Sequence, residues 1–97
     1  MKVSDTLYAA ADYIQMHGWK KRSYGWDGGP RCIAGACESV GHPISAFFSE
    51  YDPVARALSV VMGDCAIGDF NDWHCNSADD AVAACVIAAD IACAEGN

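Results

Sequence analysis

Apolar side chains recur along this chain every three or four residues, the spacing that places them on one face of an α-helix. The first such run consists of Leu7, Ala10, Ala11 and Ile14. Ser4 or Asp5 stands before it, and both residue types cap helix N-termini well. Gly18 follows it and suits the left-handed position just past a helix. The pattern therefore predicts a first helix that ends at Gly18.

The segment GGPRCIAGACESVG, residues 28–41, predicts a second helix. Pro30 suits its first turn and Gly41 suits its end. Gly35 in its interior weakens a helix, so we expect a neighbouring helix to approach closely at this position. The apolar stripe of this helix is Ile33, Cys37 and Val40.

The middle of the chain predicts another helix, preceded by one or two helical turns in ISAFFSEY, residues 44–51. Asp52 is its cap, Pro53 occupies its first position and Gly63 closes it. The apolar residues follow the i, i+4, i+7, i+8 pattern of one buried face. They are Val54, Leu58, Val61 and Met62.

A final helix follows a stretch without any apolar period. DCAIGDFNDWHC, residues 64–75, has neither a helical nor a strand pattern, so we interpret it as a loop. Asn76 or Ser77 then caps a long helix. The face expected to be buried consists of Val82, Cys85, Val86, Ala89 and Cys93.

These patterns predict an all-α fold, a small single-domain bundle of four to five helices with a glycine- and aromatic-rich loop between helices 1 and 2. A chain of 97 residues makes one domain, so the domain covers residues 1–97. The longest apolar run is short and contains Asp90, so we expect no membrane partner. The N-terminus has no signal-peptide block, which favours a cytoplasmic location. The six cysteines are then expected to be buried small hydrophobes rather than disulfides.

The charge is unevenly distributed along the chain. Residues 20–31 contain four of the six basic residues and one aspartate, for a net charge of +3. Since the whole chain carries −7, the remainder carries −10. Such an acidic body repels a phosphate backbone, so we expect no nucleic-acid partner. The glycines of this stretch also lack the spacing of a phosphate-binding loop, and we expect no cofactor.

The basic stretch is the candidate partner-binding site. Arginine, tryptophan and tyrosine are the residue types that contribute most to the affinity of protein interfaces. The predicted contact residues are Lys20, Lys21, Arg22, Tyr24, Trp26 and Arg31. An acidic protein partner, or the acidic face of a second copy in a homo-oligomer, would be complementary. The alternative is that the stretch is a solvated connector, with Trp26 packed on the bundle. In either case, Trp19 is expected to fold back onto Tyr13 or Ile14.

Two other function classes remain open. Cys65, His74 and Cys75 are close together in sequence and carry the side chains that a small-ligand or zinc site uses. The chain nevertheless lacks the paired cysteines of a structural zinc site. A thiol hydrolase is the second class, because Cys32 at the start of a helix would have a lowered pKa. Three scattered histidines in so short a chain argue against catalysis, so we expect a binding protein rather than an enzyme.

Several short motifs give the chain a family resemblance: HGW, CIAGA, IGDFND and the capped segment NSADDAVAACVIAADIA. They resemble a domain family of unknown function found in actinobacteria and their phages. The matching positions are Gly18, Trp19, Cys32, Gly35, Ala36, Asn71 and Asp72. The chain departs from the pattern at Phe70, where members often carry tryptophan, and in its Lys-Lys-Arg run. The resemblance implies a phage origin and action inside a bacterial host, and it supplies no activity.

Overall fold

The computed structural model of the chain describes residues 2–63 and 65–97. Within them the polypeptide forms five α-helices and no strand, which confirms the all-α prediction. A 3₁₀ turn precedes the third helix, and the short fourth helix continues into a π-helical turn. The elements are α1 (Val3–His17), α2 (Ile33–Ser39), the 3₁₀ turn (Ile44–Phe48), α3 (Pro53–Met62), α4 (Ile67–Asp69), the π turn (Phe70–His74) and α5 (Ala78–Ala94).

The core lies mainly between α1 and α5, with α2 and α3 packed against them. The apolar run predicted for the first helix is fully buried, as expected. The buried face of α5 differs from the prediction, because Cys93 is exposed and Val82 and Val86 are only half-buried. Small side chains let two helices approach closely, so the alanine-rich face turns inward instead. The buried residues of α5 are Ala81, Ala84, Cys85, Ala88, Ala89 and Ala92.

Most helix ends lie where the capping residues predicted them. The Gly18 N–H donates to the Ile14 carbonyl at 2.8 Å, with Gly18 at φ +97°. The Asp52 carboxylate accepts from the Ala55 N–H at 2.8 Å, and the Ser77 hydroxyl accepts from the Asp80 N–H at 3.4 Å. These bonds satisfy backbone groups that a helix end otherwise leaves unpaired.

Two helix starts differ from the prediction. α1 begins at Val3, earlier than the predicted caps Ser4 and Asp5 imply, and Lys2 is its capping residue. α2 begins at Ile33 rather than near Pro30, with Cys32 as the cap. The helix does not extend to the residues before Cys32, because the backbone of Arg31 pairs with Trp19 in a short bridge. That long-range pairing is not visible in a local pattern.

The prediction of a loop over residues 64–75 is wrong for most of that stretch. Position 64 lies outside the described residues, but residues 67–74 are helical. The Cys75 N–H donates to the Phe70 carbonyl at 3.1 Å, the i to i+5 spacing of a π turn. A π turn adds one residue to a helical turn, so its side chains do not follow the 3.6-residue period. Tertiary contacts of Asn71, which lies in this turn, hold it in place.

In the part of the chain that the structure describes, no helix is long and apolar enough to cross a bilayer.

Candidate functional site

Asn71 joins three separate parts of the chain at the base of the basic loop, residues 20–31. Its side chain is 1% exposed. The amide oxygen accepts from the Trp19 indole N–H at 2.7 Å and from the Ile33 N–H at 3.1 Å. The amide nitrogen donates to the Lys20 carbonyl at 3.0 Å. Asn71 therefore ties the loop and the start of α2 to the π turn.

Asp72 continues this attachment by one residue. Its Oδ1 accepts from the Arg22 N–H at 2.8 Å and from the Asn71 amide at 3.1 Å. Arg22 has φ +65°, a left-handed conformation that costs a non-glycine residue free energy and needs support from its surroundings. The Arg22 N–H, and then the Asn71 amide, hold the pKa of the Asp72 carboxyl below its ordinary value. Asp72 is thus the acceptor that stabilises the strained start of the loop.

Acidification is expected to release this contact. A depressed pKa in the folded state means that Asp72 stabilises the fold fully above its ordinary pKa of 3.8, and that this contribution is lost as the pH falls through the lower folded value. In an NMR titration, the Arg22 amide proton should shift with a midpoint below 3.8. Asp72→Asn should abolish the shift, and a midpoint at or above 3.8 would contradict the interpretation.

Gly35 lets the loop lie against α2. A Cβ on this residue would lie against the Tyr24 carbonyl oxygen and 2.7 Å from Arg31 Nε. The expected close approach therefore exists, but the approaching segment is the basic loop and not a neighbouring helix. The Cys32 thiol accepts from the Gly35 N–H at 3.4 Å and caps α2.

Arg31 is a structural residue and not a surface contact. Its side chain is inside the fold, with the residue 5% exposed. The guanidinium donates to the Tyr24 carbonyl at 2.7 Å, to Ser39 Oγ at 2.8 Å and to Glu38 Oε1 at 2.9 Å. The hydrogen bond from Arg31 holds the pKa of the Glu38 carboxyl below its ordinary value. The sequence placed Arg31 with the partner-binding residues, whereas the structure uses it to hold the loop.

The far end of the loop is attached to α1 by Tyr13. The phenol oxygen accepts from the Gly28 N–H at 2.9 Å and donates to the Gly29 carbonyl at 2.7 Å. Trp19, at the other end, is half-buried against the core, and its indole N–H reaches Asn71. Both ends of the loop are therefore attached to the body, and its middle lies against Gly35 of α2 at the Tyr24 carbonyl.

The other predicted contact residues lie on the surface of this loop. Trp26 is 84% exposed, so it does not pack on the bundle as the alternative reading expected, and Tyr24 is 48% exposed. Lys20 and Arg22 are also exposed, and Lys21 is half-buried with its ammonium 5.6 Å from the Trp19 ring centroid.

Trp73 is a further surface residue near the loop that the sequence pattern did not predict. This residue of the π turn is 67% exposed, and its ring centroid lies 5.4 Å from the Arg22 guanidinium. Such a pair is a cation–π contact. The two residues are 51 positions apart in the sequence. Only the attachment of the loop to the π turn, through Asn71 and Asp72, brings them together.

A groove of about 960 Å³ lies beside the loop. It runs between the loop, the 3₁₀ turn, α3 and α4, and most of its lining is apolar. Its lining includes Arg22, Tyr24, Phe48, Arg56, Met62 and Ile67. Neither Arg22 nor Arg56 makes an ion pair within 4.0 Å with any residue in the described part of the chain. The groove therefore combines an apolar surface with two arginines that make no ion pair to a described residue, and the carboxylates of Glu50 and Asp72 lie in the same lining.

The 3₁₀ wall of the groove is attached to α3 by His42 and Asp52. His42 Nε2 lies 3.0 Å from the Asp52 carboxylate, which is nearly buried and also caps α3. The His42 ring packs edge-on against Phe47, with centroids 5.0 Å apart. Both sides of the groove are thus held by buried polar contacts.

The predicted metal residues do not come together. Across residues 2–63 and 65–97, no three histidine, cysteine, aspartate or glutamate side chains are grouped closely enough to hold a metal ion. Cys75 is fully buried, and His74 stacks on Phe70 at 5.8 Å. Cys65 lines the groove instead.

Four of the six thiols are buried, an environment that disfavours the charged thiolate. Burial raises the pKa of Cys32, opposite to the lowering expected from its place at a helix start. Burial also raises the pKa of Cys75 to about 11 and that of Cys85 to about 12. All six cysteines are free thiols, of which only Cys93 is exposed.

Alkylation should follow this exposure. With iodoacetamide near neutral pH, Cys93 should react first and the half-buried Cys65 next, since the thiolate must reach the reagent. Cys37 and Cys85 should react only after unfolding, which peptide mass spectrometry over a time course would show. If Cys32 reacted fastest in the native protein, the thiol-enzyme alternative would regain support.

The motif positions of the sequence now have structural roles around the loop. Residues 1–91 of the chain match the family of unknown function (DUF6197). The chain belongs to this family. The seven matching positions of the motifs lie within this range, and the match confirms membership of a family of unknown function. No curated protein and no solved structure matched the chain. In this member of the family, Trp19, Gly35, Asn71 and Asp72 hold the basic loop against α2 and the π turn.

Proposed function

We propose that this chain is a protein-interaction module that binds an acidic surface of a partner protein through the middle of the basic loop and Trp73. The observation that carries the proposal is the exposure of Trp26 and Trp73, at 84% and 67%. Trp26 belongs to the same loop as the cations of residues 20–22, and the Trp73 ring lies 5.4 Å from the Arg22 guanidinium. Tryptophan rings exposed to water add little buried apolar area to the fold. Tryptophan, tyrosine and arginine are the residue types that contribute most to the affinity of interfaces.

The attachment of the loop supports the same proposal. Binding costs less when the contact residues are already held in the bound arrangement. Asn71, Asp72 and Arg31 hold the loop backbone at several points and leave the side chains of Arg22 and Trp26 outside. The basic loop on an acidic body also favours acidic partners and disfavours basic ones.

Binding is proposed in place of catalysis. Burial raises the pKa of the Cys32 thiol, which disfavours the thiolate that a nucleophile needs. Each histidine has a contact that accounts for it: His17 with Tyr13, His42 with Asp52 and His74 with Phe70. These contacts support structural roles for the residues that a thiol hydrolase would use.

The test is affinity capture from a lysate of the organism that encodes the chain, followed by quantitative mass spectrometry. The bait is the native chain or a variant with Lys20→Gln, Lys21→Gln and Arg22→Gln. A protein retained by the native chain should be lost with the variant. Its retention should also weaken as salt is raised toward about 0.3 M, because exposed charges are then screened.

A charge-matched control separates the loop from net charge alone. Gln15→Glu, Ala83→Glu and Ala94→Glu change the net charge by the same amount at exposed helix positions away from the loop. This control should retain the same protein as the native chain. If the loop variant captured the same proteins as the native chain, the proposal would be wrong.

A phage origin and action in the host cytoplasm are proposals as well. The family resemblance of the motifs supports both. Neighbouring phage structural or replication genes would support the origin. A gene surrounded by bacterial housekeeping genes in every source would contradict it.

A further inference from the structure

We infer that the groove beside the basic loop binds a short acidic segment of the partner, anchored by aromatic or aliphatic side chains. This inference rests on the proposed function and names the part of the partner that is recognised. The loop supplies Arg22 and Tyr24 to one side of the groove, so the loop surface and the groove are continuous.

The shape of the groove favours a polypeptide segment over a small molecule. Small-molecule sites enclose most of their ligand. This groove is open to solvent and has large exposed rings at its edge, with Phe48 81% and Tyr24 48% exposed. Met62 and Ile67 form apolar surface within it. A segment of protein can cover the exposed rings while its own apolar side chains enter the groove.

The arginines of the groove, together with Lys20 and Lys21 of the adjoining loop, favour an acidic segment. Arg22 and Arg56 come from different elements and have no carboxylate partner within 4.0 Å among the described residues. Asp72 and Glu50 also line the groove, but the Asp72 oxygen already accepts two hydrogen bonds from the chain itself. Carboxylates of a bound segment would pair with the two arginines, and arginine binds carboxylates in a fixed bidentate geometry.

Direct binding of a probe peptide tests this inference. The probe is a short fluorescein-labelled peptide in which glutamate alternates with phenylalanine and leucine, measured by fluorescence anisotropy with the native chain. Two further peptides replace the glutamates by lysine or the apolar residues by serine. The first peptide should bind at least about tenfold more tightly than either of the others, because loss of a central anchor commonly costs that much affinity.

Groove variants locate the binding. Phe48→Ser removes an exposed ring, and Ser59→Trp fills the groove from an exposed position on α3. Each should weaken binding of the first peptide about tenfold or more. The controls are Ile87→Ser and Ala83→Trp, which make equivalent changes at exposed positions of α5 and should bind like the native chain. Arg56→Gln should weaken binding, whereas Lys2→Gln should not.

The outcomes separate this inference from the proposed function. If the lysine peptide bound as well as the glutamate peptide, if no peptide bound, or if the groove variants bound like their controls, the groove inference would be overturned. The proposed function would stand in those cases as long as the loop variant still lost its captured protein. Sedimentation of the native chain as a dimer that Ser59→Trp converts to a monomer would identify a second copy as the occupant and likewise overturn the inference.

Discussion

Replacing Asn71 by alanine is expected to lower the free energy of unfolding by about 3 kcal/mol, since each buried polar group left unpaired costs about 1–3 kcal/mol. The change removes the acceptor of the Trp19 indole and the Ile33 N–H and the donor to the Lys20 carbonyl. For a chain of this length, the melting temperature should fall by roughly 12–24 °C. Thermal unfolding followed by circular dichroism measures it.

Asn76→Ala is the matched control for this prediction. Asn76 is an asparagine exposed at the end of the same segment, and its only hydrogen bond in the described structure uses the backbone N–H. Its replacement should change stability by less than about 0.5 kcal/mol. Equal melting temperatures for Asn71→Ala and Asn76→Ala would show that the side chain of Asn71 does not hold the loop.

Gly35→Ala is expected to destabilise the protein by about 2 kcal/mol, although alanine is the better helix former by about 1 kcal/mol. The added methyl group would meet the Tyr24 carbonyl and the buried Arg31 side chain. The Arg31 side chain cannot move freely to make room, because it is hydrogen-bonded to Glu38 and Ser39. The melting temperature should fall by roughly 8–16 °C.

Gly68→Ala makes the same change where there is space. Gly68 lies in α4, and a Cβ there would have no heavy atom within 4 Å in the described part of the chain. Its replacement should be neutral or stabilise by up to about 1 kcal/mol, because only helix propensity changes. The opposite signs of the two substitutions are the expected result. A stabilised Gly35→Ala variant would mean that the loop does not lie against α2.

Asn71→Ala and Gly35→Ala should also weaken partner binding, for a reason separate from stability. Neither Asn71 nor Gly35 carries a charge or an exposed aromatic ring to a partner. They hold the loop that presents Arg22 and Trp26, so their loss raises the entropy cost of binding. Measured well below the melting temperature, Gly35→Ala should still bind the glutamate peptide more weakly than the native chain.

The sequence alone determined the features that depend on neighbouring residues. The period of Leu7, Ala10, Ala11 and Ile14 predicted α1 and its buried face. Gly18, Asp52 and Ser77 act on backbone groups within a few residues, so three helix boundaries followed directly from residue type. The all-α class and the family followed from patterns and motifs of this kind.

Tertiary structure decided everything at the site that depends on distant residues. The π turn over residues 70–74 has no regular period, and contacts of Asn71 with residues far away in sequence hold it. Arg31 looked like a surface cation because its partners, the Tyr24 carbonyl, Glu38 and Ser39, cannot be recognised from the spacing of residues in the sequence. The pairing of Arg22 with Trp73, and the groove between loop and helices, exist only once those contacts form. Local patterns encode backbone preference, whereas the position of a functional side chain depends on which distant groups satisfy its hydrogen bonds.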